Sequence, residues 1–275
     1  MPVSGALEKY LVKPGSKLDL SKIDPNDKAL FEDGGHDARL KSFDKLRDEL
    51  QHLQKLLYAE NKHRILLVIQ AMDTGGKDGC VKHVFSCIDP QGIVVHPFKK
   101  PNEEEISRDF LWRIHQRVPR NGQLTIFNRS HYEDIIAVKV KKLFPEKVWK
   151  QRYRHIVEFE RMLVEEGTTI VKIFLHISKE EQKIRLESRL MDPSKHWKFN
   201  PDDLKDRALW ADFQETYEHL LPRTSTAEAP WYIVPSNRKW YRNLVVARIM
   251  VDTLKSLNMS FPKTEWDPAS IVVGD

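Results

Sequence analysis

Cysteine is scarce in this chain of 275 residues: only Cys80 and Cys87 occur. Two thiols cannot build a disulfide framework or a four-cysteine metal site. They stand seven apart in one predicted helix, on its apolar face, so buried free thiols are expected. Long hydrophobic runs are missing too. The longest aliphatic stretch, Ile65 to Ile69, is far too short to cross a bilayer. Met1 to Leu11 has no basic patch followed by an apolar run, so a cytoplasmic location is expected rather than export. No low-complexity tract and no repeat of solenoid period is found, which excludes disordered and array architectures. His83, His96 and His115 lack partners at metal-ligand spacing and read as structural.

What is present is globular, with 40% apolar and 31% charged residues, a formal charge of +5 and a pI near 9.0. The positive balance favours acidic partners: nucleic acid, an anionic membrane surface or phosphorylated small molecules. Residues 1–35, rich in Pro, Gly, Lys and Asp, predict an extended arm with turns. From Asp37, Leu40, Phe43, Leu46, Leu50, Leu53 and Leu57 recur every three or four residues and predict one long amphipathic helix to about Tyr58. Its stripe suits the core or a second subunit, and a homo-oligomer is the expectation.

Five short apolar runs predict strands: Arg64–Ala71, Ile93–His96, Leu124–Phe127, Thr169–Ile177 and Trp231–Val234. Helices are predicted between them. One opens at Lys77. Another opens at Asn102 with a capping box to Glu105 and continues through Ile114. A third spans about Glu146 to Glu166 and is stopped by Gly167. A fourth, Lys179 to Leu190, is capped by Ser178, and a last one runs from about Trp240 to Leu257. Strands alternating with helices predict a parallel sheet of about five strands covered on both faces, with ligands at the carboxyl ends of the strands.

The first strand runs into Ala71-Met-Asp-Thr-Gly-Gly-Lys-Asp-Gly79 and then a helix. This is the layout of a phosphate-binding loop, whose amides and lysine cradle phosphates at a helix N-terminus. Against G-x-x-x-x-G-K-[ST], Gly76 and Lys77 match, Ala71 replaces the first glycine, and Asp78 replaces the magnesium-binding hydroxyl. Asp73 offers a carboxylate for the metal instead. The fold expected is therefore an α/β three-layer sandwich of the P-loop NTPase type, in one domain over 36–275. The third strand ends in Phe127-Asn-Arg-Ser-His-Tyr-Glu-Asp134. Its tip is Asn128 where an acid is usual, and Arg129 can clamp phosphate oxygens.

Together with Met191-Asp-Pro-Ser-Lys-His-Trp-Lys198, these motifs resemble the family-2 polyphosphate kinases, in order from about Asp37 to Leu257. The resemblance implies a helical lid, placed at about 185–217, on a magnesium-dependent enzyme that passes phosphate between inorganic polyphosphate and nucleotides. Asn-Arg-Ser-His-Tyr-Glu is similar to the subgroup acting on both AMP and ADP. Asp73, Lys77, Arg129, Glu133 and Arg189 are then the expected catalytic set, with Asp73 and Asn128 on the metal. Thr74, Gly75, Gly76, Asp78, Gly79, Lys82, Lys99, His131 and Lys198 are expected on phosphate or polyphosphate, and Asn128, Arg185, Lys195 and Trp197 on the nucleotide. Arg185 and Arg189 lie one helical turn apart, as lid cations would. An ATP-dependent nucleoside monophosphate kinase would use the same architecture. A non-enzymatic nucleic-acid module is the more distant alternative, and no nucleic-acid motif or membrane partner is indicated.

Overall fold

The computed structural model describes residues 5–31 and 35–274. Its centre is a five-stranded, all-parallel sheet: β1 (Arg64–Ala71), β2 (Ile93–Pro97), β3 (Gln123–Asn128), β4 (Thr168–His176) and β5 (Trp231–Pro235), in spatial order β2-β3-β1-β4-β5. The helices are α1 (Gly35–Glu60), α2 (Lys77–Phe85), α3 (Glu103–Ile106), α4 (Trp112–His115), α5 (Glu133–Val140), α6 (Glu146–Glu165), α7 (Lys179–Met191), α8 (Asp202–Ala208), α9 (Trp210–Thr224) and α10 (Lys239–Lys255).

β1 is aliphatic from Ile65 to Ile69 because both its faces are covered. Ile65, Leu67 and Ile69 meet the layer of α1, α2 and α10, while Leu66 and Val68 meet the layer of α5, α6 and α9. The chain leaves β1 toward β2 across the first layer and returns through β3, β4 and β5 across the second. Right-handed crossovers require this change of face with direction. It leaves the carboxyl ends of β1 and β3 side by side, and both sheet motifs open there.

Most of the α1 stripe is spent inward: Leu46, Leu50, Leu53, Leu56 and Leu57 are buried in the core shared with α10, while Leu40 at its start is exposed. Three expectations are corrected. The helix from Asn102 has its capping box, Asn102 and Glu105 bonding reciprocally, but stops at Ile106 and resumes only at Trp112. Ser107 Oγ donates to Glu104 O and Asp109 Oδ1 accepts from Leu111 N, local bonds that compete with the helical ladder. Cys87 lies beyond the end of α2 and is only half-buried, whereas Cys80 is fully buried. The arm is part of the core. Leu7, Tyr10, Val12 and Leu20 are buried, Leu11 bridges Tyr232 antiparallel, and Val12 N donates to Trp231 O, so the arm covers the open edge of β5. Residues 1–4 and 32–34 of that expected arm lie outside the described residues.

Candidate active site

The loop after β1 has a shape that few residues permit. A Cβ on Gly75 would sit 2.5 Å from Ala71 Cβ, and Gly76 has φ +96° with Arg242 Nη1 2.1 Å from an added Cβ. Thr74 is left-handed at φ +58°, a strained state that its surroundings must hold. Two buried guanidinium groups hold it: Arg185 Nη1 donates to Thr74 O at 3.0 Å and Arg242 Nη1 to Gly76 O at 3.1 Å. Gly79 is not sterically required, because a Cβ there meets only Arg242 Nη2 at 3.7 Å. The Thr74 hydroxyl is buried with no hydrogen-bond partner, an acceptor-seeking donor inside the loop.

Each charged group of the loop is occupied within the chain. Lys77 is buried and donates to Ala71 O at 3.0 Å. Burial pulls its pKa below the usual lysine value, with Arg129 adding to the effect and Asp73, Glu133 and Asp78 opposing it. Asp73 Oδ1 accepts from Arg129 Nη2 at 3.0 Å, and Asp78 Oδ1 accepts from Asn128 Nδ2 at 2.7 Å. The tip of β3 and the phosphate loop are thus already joined by two polar pairs. Arg129 has φ +62° and its amide donates to Ile69 O of β1. Burial works against its charge, but Glu133 and Asp73 outweigh that and raise its pKa. Glu133 opens α5. Burial raises its pKa, while Arg129 and Lys77 pull the other way.

In front of these groups lies a cavity of about 540 Å³. Ala71, Met72 and Asp73 form its floor, and Arg129, Glu133 and Lys99 supply charge. Phe98, Phe144, Phe213 and Tyr217 add aromatic rings to its lining, and Asp206 of α8 adds a carboxylate. A site of this kind holds an anion at one end and an apolar ring at the other.

Several expected residues stand elsewhere. His131 does not reach phosphate: it is wholly buried, its Nε2 bonded to Glu160 Oε1 at 3.1 Å, in a core network with Lys172 and Tyr132. Arg185 is no lid cation meeting a nucleotide. Its guanidinium is consumed by Thr74 O, Ser236 O and Glu181, beneath the loop. Arg189 is held within the lid by Lys198 O and Asp203 Oδ2. Lys195 pairs with Asp192 at 2.6 Å, and Lys198 lies 4.8 Å over the ring of Trp197, which is 79% exposed; none of the three lines the cavity. Lys82 is exposed on α2.

Other site residues escaped the sequence reading. Gln182 Nε2 donates to Asp73 O and its Oε1 accepts from Arg207 of α8, which ties α8 to the loop. Asp203 feels both Asp73 and Arg129; burial and Asp73 raise its pKa. These follow from tertiary packing, and no local pattern signals them. Gln70, a lone amide in an aliphatic strand, does carry such a signal.

Comparison with known proteins agrees with this geometry. A relative from Meiothermus ruber, an AMP/ADP-polyphosphate phosphotransferase, is 52% identical over 97% of this chain and 100% of its own length. An ADP-polyphosphate phosphotransferase from Rhodopseudomonas palustris is 40% identical over 94% of this chain and 92% of its own. The crystal structure of polyphosphate kinase 2 from Arthrobacter aurescens TC1 superposes with a TM-score of 0.90 at 42% identity, covering 94% of this chain and 93% of that one. Residues 35–262 match the family described as Polyphosphate kinase 2 (PPK2), and the chain belongs to that family.

Proposed function

We propose that this protein transfers phosphoryl groups reversibly between inorganic polyphosphate and adenine nucleotides, converting AMP to ADP and ADP to ATP. The observation that carries this reading is a phosphate loop whose first residues, Ala71 to Asp73, line one cavity together with Arg129, Glu133 and four aromatic rings. The name of the Meiothermus ruber relative supports the choice of substrates. Loop amides, the Thr74 hydroxyl and Lys77 hold phosphate oxygens, and the aromatic rings give a purine its stacking face. Arg129 stabilises the transferring group as charge spreads over its oxygens in an in-line reaction. The acceptor is already a phosphate anion, so no strong base is required, and Glu133 positions the acceptor or a metal-bound water.

Magnesium fits the donor set. It keeps several waters, takes one or two protein groups and completes its octahedron with substrate phosphates. Asp73 has a second carboxylate oxygen, and Asn128, with its amide nitrogen on Asp78, keeps its carbonyl oxygen for a metal. Among the described residues no group of three His, Cys, Asp or Glu could hold a metal, so substrate phosphates would complete the site. Bound there, magnesium supplies charge neutralisation between phosphate oxygens. Self-association belongs to the same proposal, since Leu40 of α1 lies outside the buried stripe and is exposed.

The deciding experiment incubates AMP or ADP with magnesium, with and without polyphosphate, and separates products by ion-exchange chromatography. New ADP and ATP are expected only when polyphosphate is present. Phosphorylation of AMP by ATP, with none from polyphosphate, would identify a nucleoside monophosphate kinase instead.

A further inference from the structure

β1 buries a run of aliphatic side chains, yet Gln70, one residue from its end, is fully buried as well. A buried amide costs free energy unless both its ends are matched. Leu66 and Val68 point into the layer of α5, α6 and α9, and the period of two sends Gln70 the same way. With the amide turned so that donors face acceptors, its amino group donates to Glu133 Oε1 at 3.0 Å, and its carbonyl accepts from Ser130 Oγ at 3.1 Å and Ser130 N at 3.3 Å. This orientation pairs a donor with an acceptor at each contact. Ser130, itself fully buried, accepts in turn from Tyr132 N at 3.3 Å.

We infer that Gln70 is a positioning residue that sets the orientation of Glu133 toward the nucleotide acceptor. The inference rests on the function proposed above, in which Glu133 meets the acceptor or its metal-bound water. With Oε1 held by the amide, Oε2 is the oxygen left for the cavity. Arg129 and Lys77 are the cations acting on Glu133. Without Gln70, the carboxylate loses its hydrogen bond to β1, and a swing onto Arg129 would remove both groups from the substrate. The contact also links the two motifs directly, since Gln70 immediately precedes the phosphate loop and Glu133 follows the tip of β3.

The test compares Gln70→Met, close in length and unbranched, with Glu133→Ala and the double variant; Gln70→Leu serves if the first fails to fold. Steady-state kinetics are read separately for AMP, ADP and polyphosphate, together with Tm. Gln70→Met is expected to lower kcat/KM for AMP roughly tenfold, the scale of one lost hydrogen bond to a charged group. ADP should lose less, and KM for polyphosphate should not move. In the Glu133→Ala background, which itself should lose AMP activity more than ADP activity, the second substitution should add nothing. Equal losses on both acceptors with a fall in Tm, or full additivity with Glu133→Ala, would overturn the inference and make Gln70 a packing residue. If the parent uses ADP alone, the cycle is read on ADP. A parent inactive with polyphosphate would instead sink the proposed function, so the two failures are distinct.

Discussion

Asp73 stands between two cations, the Arg129 guanidinium that it holds now and the metal it is proposed to bind in turnover. Asp73→Asn keeps the shape and removes the charge. It should raise the magnesium concentration for half-maximal rate several-fold and depress saturated turnover at least tenfold, on the scale of a lost charged interaction in a transition state. Initial rates over a magnesium titration decide this, and the same loss in Asp78→Asn but not Asp73→Asn would move the ligand to Asp78. Legibility at this scale depends on how far away a partner lies. Gly76, Lys77, Arg129 and Glu133 could be nominated from the sequence because each belongs to a short stretch with its own chemistry. Arg185 and His131 were misassigned because polar residues beside a motif look available. Their partners, Thr74 and Glu160, lie 111 and 29 positions away along the chain.

Behind β3 the elements are pinned by charge in a dry place. Lys172 of β4 donates to Glu160 of α6 at 2.5 Å, and Glu160 also accepts from His131 and from Tyr132 OH. All of these side chains are buried. Burial acts to raise the Glu160 pKa, but Lys172 and His131 outweigh it and hold the carboxyl below its ordinary value of 4.5. A depressed carboxylate contributes stability that is full above that ordinary value and lost as pH falls through the lower, folded one. Glu160→Gln leaves Lys172 without its counter-charge and should cost about 3–5 kcal/mol near neutral pH. The gap from the parent should narrow below about pH 4.5. Urea unfolding across pH measures this, and a gap that stays constant into acid would remove Glu160 as the charged partner. The elements themselves were mostly legible, because a strand covered on both faces is apolar over most of its length. The segment from Asn102 to His115 was not, because its apolar spacing is helical while Ser107 and Asp109 turn their side chains onto the backbone.

Over the whole molecule, the two edges of the sheet are treated differently. β2 is a short edge strand that ends in Pro97, while β5 is covered by the N-terminal arm. Removing residues 1–22 would strip Leu7, Tyr10, Val12 and Leu20 from the core and bare the β5 edge. The truncated protein should show a lower Tm by calorimetry and concentration-dependent association by light scattering. An unchanged Tm would mean the arm contributes nothing to the fold. The strand order has a consequence in time. β1 sits between β3 and β4, both of which come after it in the chain. At 5–20 residues per second, the roughly 100 residues separating Ala71 from Thr168 take on the order of ten seconds to synthesise. For that interval the most aliphatic strand of the protein has left the ribosome before its second neighbour exists. The strand that later carries the phosphate loop is thus the nascent segment most in need of a chaperone.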